Sequence, residues 1–112
     1  VDPYNPKVMR AGMGAHFRVP IVEADWNEIR GFCDGIVIYS ATANGSTRYS
    51  DVDWKKSWAF IVGNEAHGIS KQARSLSQSE ISIPMASDTE SLNAAIASAV
   101  ILFEAQRQRL TN

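Results

Sequence analysis

Apolar runs separated by polar, glycine-punctuated stretches divide the chain into alternating segments. Gly35 to Ser40 is a continuous apolar run, the pattern of a strand covered on both faces. Trp58 to Val62 and Ile81 to Met85 are further strand patterns, and Phe17 to Val22 is strand-like, with Pro20 marking a strand end or an edge. Helical patterns alternate with these. Lys7 to Gly12 follows Pro6, whose missing N–H costs nothing at a first helical position. Asp25 to Phe32 has Asp25 as N-cap and Gly31 and Gly35 at its end. Ser70 to Ser77 is a third, short helix, and Ser91 to Leu110 is a long closing one. Ala43 to Lys56 holds Asn44-Gly45, several hydroxyls and both signs of charge, so it reads as a surface loop. Strands separated by helices predict an α/β fold with a mostly parallel sheet and helices on both faces.

The closing helix carries two stripes. Leu92, Ile96, Ala99 and Phe103 share one face, and Ala94, Ser98, Ile101 and Ala105 share another that is nearly as apolar. One stripe covers the sheet; the other calls for a partner, and in a chain this small a second copy is the natural one. The plainer reading is an Ala-rich helix with one dry and one half-exposed face.

At 112 residues with 45% hydrophobic content, the chain is one small domain without internal repeats. A formal net charge of −1 removes any global attraction for nucleic acid, so RNA contact must come from a local basic patch. Cys33 alone cannot form an internal disulfide, and no segment resembles a signal peptide or a membrane span, which points to a cytoplasmic protein. No Cys/His spacing suggests a metal site.

Two junctions concentrate the chemistry. Ala59-Phe-Ile-Val-Gly-Asn-Glu-Ala-His-Gly-Ile69 and Ile81-Ser-Ile-Pro-Met85 through Ser91-Leu-Asn93 each join a strand to a polar loop, and such loops converge at the carboxyl ends of strands in open α/β sheets. Gly63 permits close backbone approach, Ile83 and Leu92 are apolar, and Asn93 can both donate and accept hydrogen bonds. Ser91 suits a helix N-cap, and Glu65 suits bracing of loop N–H groups.

Val62-Gly-Asn-Glu-Ala-His-Gly-Ile69 and Ile81 to Asn93 resemble the second and third motifs of the SpoU/TrmH family of RNA 2′-O-ribose methyltransferases, within the SPOUT superfamily. Asn5-Pro-Lys-Val-Met-Arg10, Gly14-Ala15 and Phe17-Arg-Val-Pro20 are similar to the middle region of that family, so the resemblance covers essentially the whole chain. It implies a C-terminal deep trefoil knot, S-adenosyl-L-methionine held in the knotted loops, and a homodimer paired through helices that include the last one. By resemblance Gly63, Ile83 and Leu92 take cofactor-contacting positions, while Asn93, Ser91 and Glu65 lie near the catalytic centre. The family's N-terminal motif, with its Asn and Arg, is expected upstream of Val1, making residues 1–112 the C-terminal part of the methyltransferase domain.

The implied activity is methyl transfer from S-adenosyl-L-methionine to a ribose 2′-hydroxyl of ribosomal or transfer RNA. A rival from another class is a noncatalytic dimeric module that binds RNA or a nucleotide-like ligand; a third is a flavodoxin-like binding domain, which the neutral Gly63-Asn64 loop disfavours. Arg10 and Arg18 are candidates for RNA phosphate or ribose contact, against a reading as salt-bridged surface groups. Trp54 beside Lys55-Lys56 is a candidate base-stacking residue, against a reading as a core anchor, which Trp26 and Trp58 fit better. His67 is a weak candidate base, His16 is read as a surface or packing residue, and Cys33 as a packing residue.

Overall fold

The computed structural model describes residues 2–42, 45–63, 69–84 and 93–111. Helix α1 (Pro6–Ala11) begins where Asn5 accepts a hydrogen bond from the Lys7 N–H, with Pro6 in the first turn. Helix α2 (Trp26–Phe32) opens with a capping box: Asp25 accepts from the Glu28 N–H at 2.8 Å, and Glu28 accepts from the Asp25 N–H at 3.1 Å. Strands β1 (Val37–Ala41), β2 (Thr47–Arg48), β3 (Trp58–Ile61) and β4 (Ser79–Ser82) follow, with α3 (Lys71–Leu76) before β4 and α4 (Ala94–Leu110) closing the chain. The sheet has the order β2-β4-β1-β3, and every pairing is parallel.

Helix α4 covers one face. Ile101 and Ala105 are buried with Ile81, Val52 and Trp54, and Tyr39, Ala41, Phe60 and Ile83 pack around them. The alternate row of β1, Ile38 and Ser40, is buried outside that cluster. It belongs to the face of α3, because Ser77, which ends α3, hydrogen-bonds Ser40 Oγ at 2.7 Å, and the Gln78 side chain accepts from the Ile38 N–H. Helices therefore lie on both faces, as the alternation predicts.

Three expectations fail in instructive ways. Phe17 to Val22 forms no strand: residues 15–17 are a 3₁₀ turn, and Arg18 and Val19 both donate to Ala15 O. A left-handed Met13-Gly14 pair turns the chain there, and Phe17 is 87% exposed. The stretch expected as a surface loop before β3 contains β2, a 3₁₀ turn over Tyr49–Asp51, and the core residues Val52 and Trp54. Trp54 is 0% exposed, which removes it as a base-stacking surface. Finally, β4 starts two residues before the expected Ile81 and ends at Ser82, and α4 starts at Ala94 rather than Ser91.

The polar demands of Trp54 are met by α4 and its own loop. Its backbone N–H donates to Gln108 Oε1 at 2.8 Å, its indole N–H donates to Tyr49 O at 2.8 Å, and its carbonyl accepts from Trp58 Nε1 and Arg109 Nε. Gln108 also donates to Val52 O and to Glu104. Glu104 is paired with Arg107 as well, and these hydrogen bonds hold its carboxyl below the usual carboxylate range. Among the described residues no helix is long and apolar enough to cross a membrane.

One connection is unusually tight. Residues 42–46 join β1 to β2 although β4 lies between those strands, a span of about 10 Å at ordinary strand spacing. Gly45 therefore passes against the backbone of β4, where a Cβ would stand 2.3 Å from the Ile81 carbonyl carbon and 2.7 Å from the Ser82 nitrogen. Backbone cannot yield as a side chain can. Gly45→Ala is expected to lower stability by about 1–3 kcal/mol, the range of core overpacking, seen as a reduced urea midpoint with an unchanged slope. An unchanged midpoint would show that the connection can move off β4.

Candidate functional site at the carboxyl ends of the strands

All four strands point the same way, so their following loops gather at one edge of the sheet. Ser40 pairs with Ile61 and Ala41 with Ile81, and continuing both registers sets Thr42 level with Gly63 on one side and Ser82 on the other. The Thr42 N–H donates to Ile81 O at 2.9 Å, consistent with that register. Gly63, Thr42 and Ile83 thus lie on adjacent strand ends. The two junctions singled out in the sequence converge, with β1 between them.

Ile83 is half-buried and packs on the α4 core, which leaves part of its side chain and its backbone at the edge. Gly63 is also half-buried and follows the exposed Val62. Glu65, Ser91, Leu92 and His67 lie outside the described residues.

The direction of α4 locates Asn93. Its C-terminal half lines a shallow apolar groove with Trp58, the first residue of β3, and Arg109 reaches Trp54 O. Helix α4 therefore ends near the amino ends of the strands, and its 17 residues, about 25 Å, run back toward the carboxyl ends. Asn93 stands on the side of Gly63, Thr42 and Ile83. It is the N-cap of α4: its Oδ1 accepts from the Ala95 N–H at 2.8 Å, and its carbonyl accepts from the Ala97 N–H. Capping was expected of Ser91, and the correction follows from where helical geometry begins.

The other candidates separate from this edge. Arg10 lies in the last turn of α1 and Arg18 caps the 3₁₀ turn after it, both exposed. Among the described residues the ion pair formed is Glu104 with Arg107, so Arg10 and Arg18 are not the salt-bridged groups of the plainer reading. His16 is a packing residue: its Nε2 lies 2.6 Å from Pro3 O, and its ring stands against Tyr4. Cys33 is a free, half-buried thiol. Among the described residues no three metal-type ligands gather.

Thr42 was not singled out in the sequence. Its Oγ1 is shut off from solvent and has no hydrogen-bond partner, a state that His16 Nδ1 alone shares among the described residues. A polar loop following an apolar strand was a weak signal for it; the central position of β1 depends on strand order, which local sequence does not contain. This hydroxyl lies level with Gly63 and Ser82, on the face of β1 shared by Ile38 and Ser40 and opposite the face where Ile83 packs on the α4 core.

Comparison with known proteins agrees with this geometry. Residues 1–103 match the model of the SpoU rRNA Methylase family. A 23S rRNA (uridine(2479)-2′-O)-methyltransferase of Streptomyces viridochromogenes is 36% identical over 118 aligned residues, covering 98% of this chain and 41% of that protein. The crystal structure of the SpoU methyltransferase AviRb from the same organism, in complex with the cofactor AdoMet, superposes with a TM-score of 0.92 at 33% identity, covering 100% of this chain and 47% of that one. An AdoMet-bound rRNA methyltransferase from Sinorhizobium meliloti superposes with a TM-score of 0.83 at 31% identity, over 96% of this chain and 42% of that one. The chain thus spans less than half the length of each. AdoMet, S-adenosyl-L-methionine, combines an adenine ring with polar ribose and amino-acid groups.

The cap gives a direct expectation for Asn93. Asn93→Ala should cost about 1 kcal/mol in denaturant unfolding, whereas Asn93→Ser, which keeps a side-chain acceptor, should cost little. Equal losses in both variants would show that the amide does more for the fold than close the first turn of α4.

Proposed function

Because the chain belongs to the SpoU rRNA Methylase family, we propose that it forms the C-terminal part of an S-adenosyl-L-methionine-dependent methyltransferase acting on a ribose 2′-hydroxyl of structured RNA, ribosomal or transfer. The observation that supports this reading most is that β3 and β4 both pair in parallel with β1, so that Gly63 and Ile83 follow adjacent strand ends at one edge of the sheet. The uridine 2′-O activity named for the Streptomyces relative supports ribose as the acceptor. A cytoplasmic location goes with the same reading.

When bound, S-adenosyl-L-methionine supplies a methyl group made electrophilic by its sulfonium. Gly63 and Ile83, with Leu92 from the same motif, form the cofactor-binding surface. Asn93, Ser91 and Glu65 serve the acceptor: a 2′-hydroxyl is a weak nucleophile until it loses a proton, so holding its oxygen in line with the methyl group supplies much of the rate. An amide that already caps α4 is well suited to orient that hydroxyl, because its own position is fixed by the helix. Arg10 and Arg18, exposed and outside any ion pair, present charge to RNA phosphate.

The deep trefoil knot belongs to this reading too. It is supported by β4, the last strand in sequence, lying between β1 and β2 while Gly45, just before β2, lies against its backbone. A homodimer belongs to it as well. Ile101 and Ala105 face the core at 1% and 5% exposure, while Ile96 and Phe103 of the other stripe are 55% and 72% exposed, a division that supports a second copy against that face.

Methyl transfer tests the activity. The whole protein, given tritiated S-adenosyl-L-methionine and cellular RNA, is expected to label ribose 2′-oxygens, separated from base methylation by nuclease digestion. Asn93→Ser keeps the cap, so it should fold normally and bind cofactor but lose about tenfold or more in kcat, a barrier increase of about 1.4 kcal/mol. Full turnover in that variant would remove Asn93 from the chemistry; intact RNA binding without transfer by the unmodified protein would favour the noncatalytic module. Assembly is tested separately. The whole protein should sediment as a dimer at micromolar concentration and as a monomer after Phe103→Glu, and a monomeric unmodified protein would refute the pairing.

A further inference from the structure

The 3₁₀ turn that follows α1 presents an aromatic ring to solvent, with Phe17 87% exposed. An exposed aromatic alone is ordinary on a folded surface. This one is held by a run of backbone hydrogen bonds, from Met13 N–H to Arg10 O, Ala15 N–H to Gly12 O and Phe17 N–H to Gly14 O, so the turn continues α1 as one unit. Its neighbour His16 faces inward. The His16 ring is half-buried, reaches Pro3 O through Nε2 at 2.6 Å, stands against Tyr4, and lies so close to Gly12 that a Cβ there would be 3.0 Å from Nδ1. His16 thus locks the turn onto the start of α1, and Phe17 is left outside.

The charge around this ring is one-sided. Pro3 to Val22 holds Lys7, Arg10 and Arg18 and no acidic residue, whereas all 12 Asp and Glu lie outside that stretch, against eight of the 11 Lys and Arg. Lys7 and Arg10 stand three positions apart on α1 and so share a face, and Arg18 follows Phe17 directly. All three are exposed and outside any ion pair among the described residues. A basic, acid-free surface around an exposed ring is complementary to a polyanion that carries flat bases. Duplex RNA offers such a ring no base face, whereas an unpaired nucleotide does. Resting on the RNA reading above, we propose that Phe17 is an RNA-binding residue: an unpaired base stacks on its ring while Lys7, Arg10 and Arg18 hold the flanking phosphates. The contacting segment of the substrate is then single-stranded, and because every base has such a face the contact tolerates any sequence.

Two RNAs separate stacking from charge. The whole protein and its Phe17→Ala, Phe17→Trp and Arg18→Gln variants are titrated into a fluorescein-labelled oligouridylate and into a labelled RNA duplex of the same length, followed by anisotropy over a range of salt. Phe17→Ala should weaken oligouridylate about five- to 100-fold, the worth of one base on an aromatic ring, and leave the duplex within about twofold, while Phe17→Trp keeps the affinity. Arg18→Gln should weaken both RNAs and lower the salt slope on oligouridylate by about 0.7, a slope that Phe17→Ala leaves alone. Without RNA, Phe17→Ala should unfold at the temperature of the unmodified protein. A lower unfolding temperature would show a ring covered by other polypeptide in the whole protein, and would overturn the assignment. Unchanged affinity for oligouridylate in Phe17→Ala, or equal weakening on both RNAs, overturns it as well, while leaving the RNA reading standing. If the unmodified whole protein binds neither RNA, that reading fails and this proposal with it.

Discussion

The burial of Trp54 governs how the rest of this chain is placed. Its indole fills the space between β1 and α4, with the ring of Tyr39 at 5.0 Å and that of Trp58 at 4.8 Å in an edge-on arrangement. Removing such a side chain from a core costs about 3–5 kcal/mol, a large share of what a domain of this size has. Gln108 and Arg109 meet its backbone groups, so its burial also sets how far α4 extends along the sheet. With its C-terminal turns fixed near the amino ends of the strands, α4 must begin on the opposite side. That is what brings Asn93 to the edge shared by Gly63, Thr42 and Ile83, and a structural aromatic thereby fixes the position of a candidate catalytic amide.

Much of this was legible in the sequence, for identifiable reasons. Helix α2 is visible because its capping box is local, and α4 because its two stripes recur over many turns. The core stripe Ile101 and Ala105 and the exposed stripe Ile96 and Phe103 divide as the spacing predicts. Trp54 was misplaced because the residues around it, Asp51, Asp53, Lys55 and Lys56, have the composition of a solvated loop; its burial depends on Gln108, 54 positions away. Phe17 to Val22 has strand composition, but Met13 and Gly14 adopt left-handed conformations and the chain turns through Ala15 instead. Local propensity yields there to a turn whose cause lies a few residues upstream.

The site was legible to the extent that it is made of junctions. Gly63 and Ile83 follow apolar strands, and the rule that parallel strands deliver their loops to one edge suffices to bring them together. Thr42 required the order β2-β4-β1-β3, a long-range property that neither hydrophobic period nor turn chemistry encodes. The same limit applied to Asn93, whose cap is defined by the residue at which helical geometry starts rather than by composition, since Ser91 was an equally good acceptor on paper.

That strand order also ties completion of the fold to completion of the site. Strand β4 comes last and inserts between two strands from earlier in the chain, beneath a connection so close that only a glycine fits at position 45. Until β4 is seated, Thr42 lacks the Ile81 carbonyl that fixes its backbone, and Ile83 has no place beside it. The closure entropy of these non-local pairings must be met before any of them stabilises the chain.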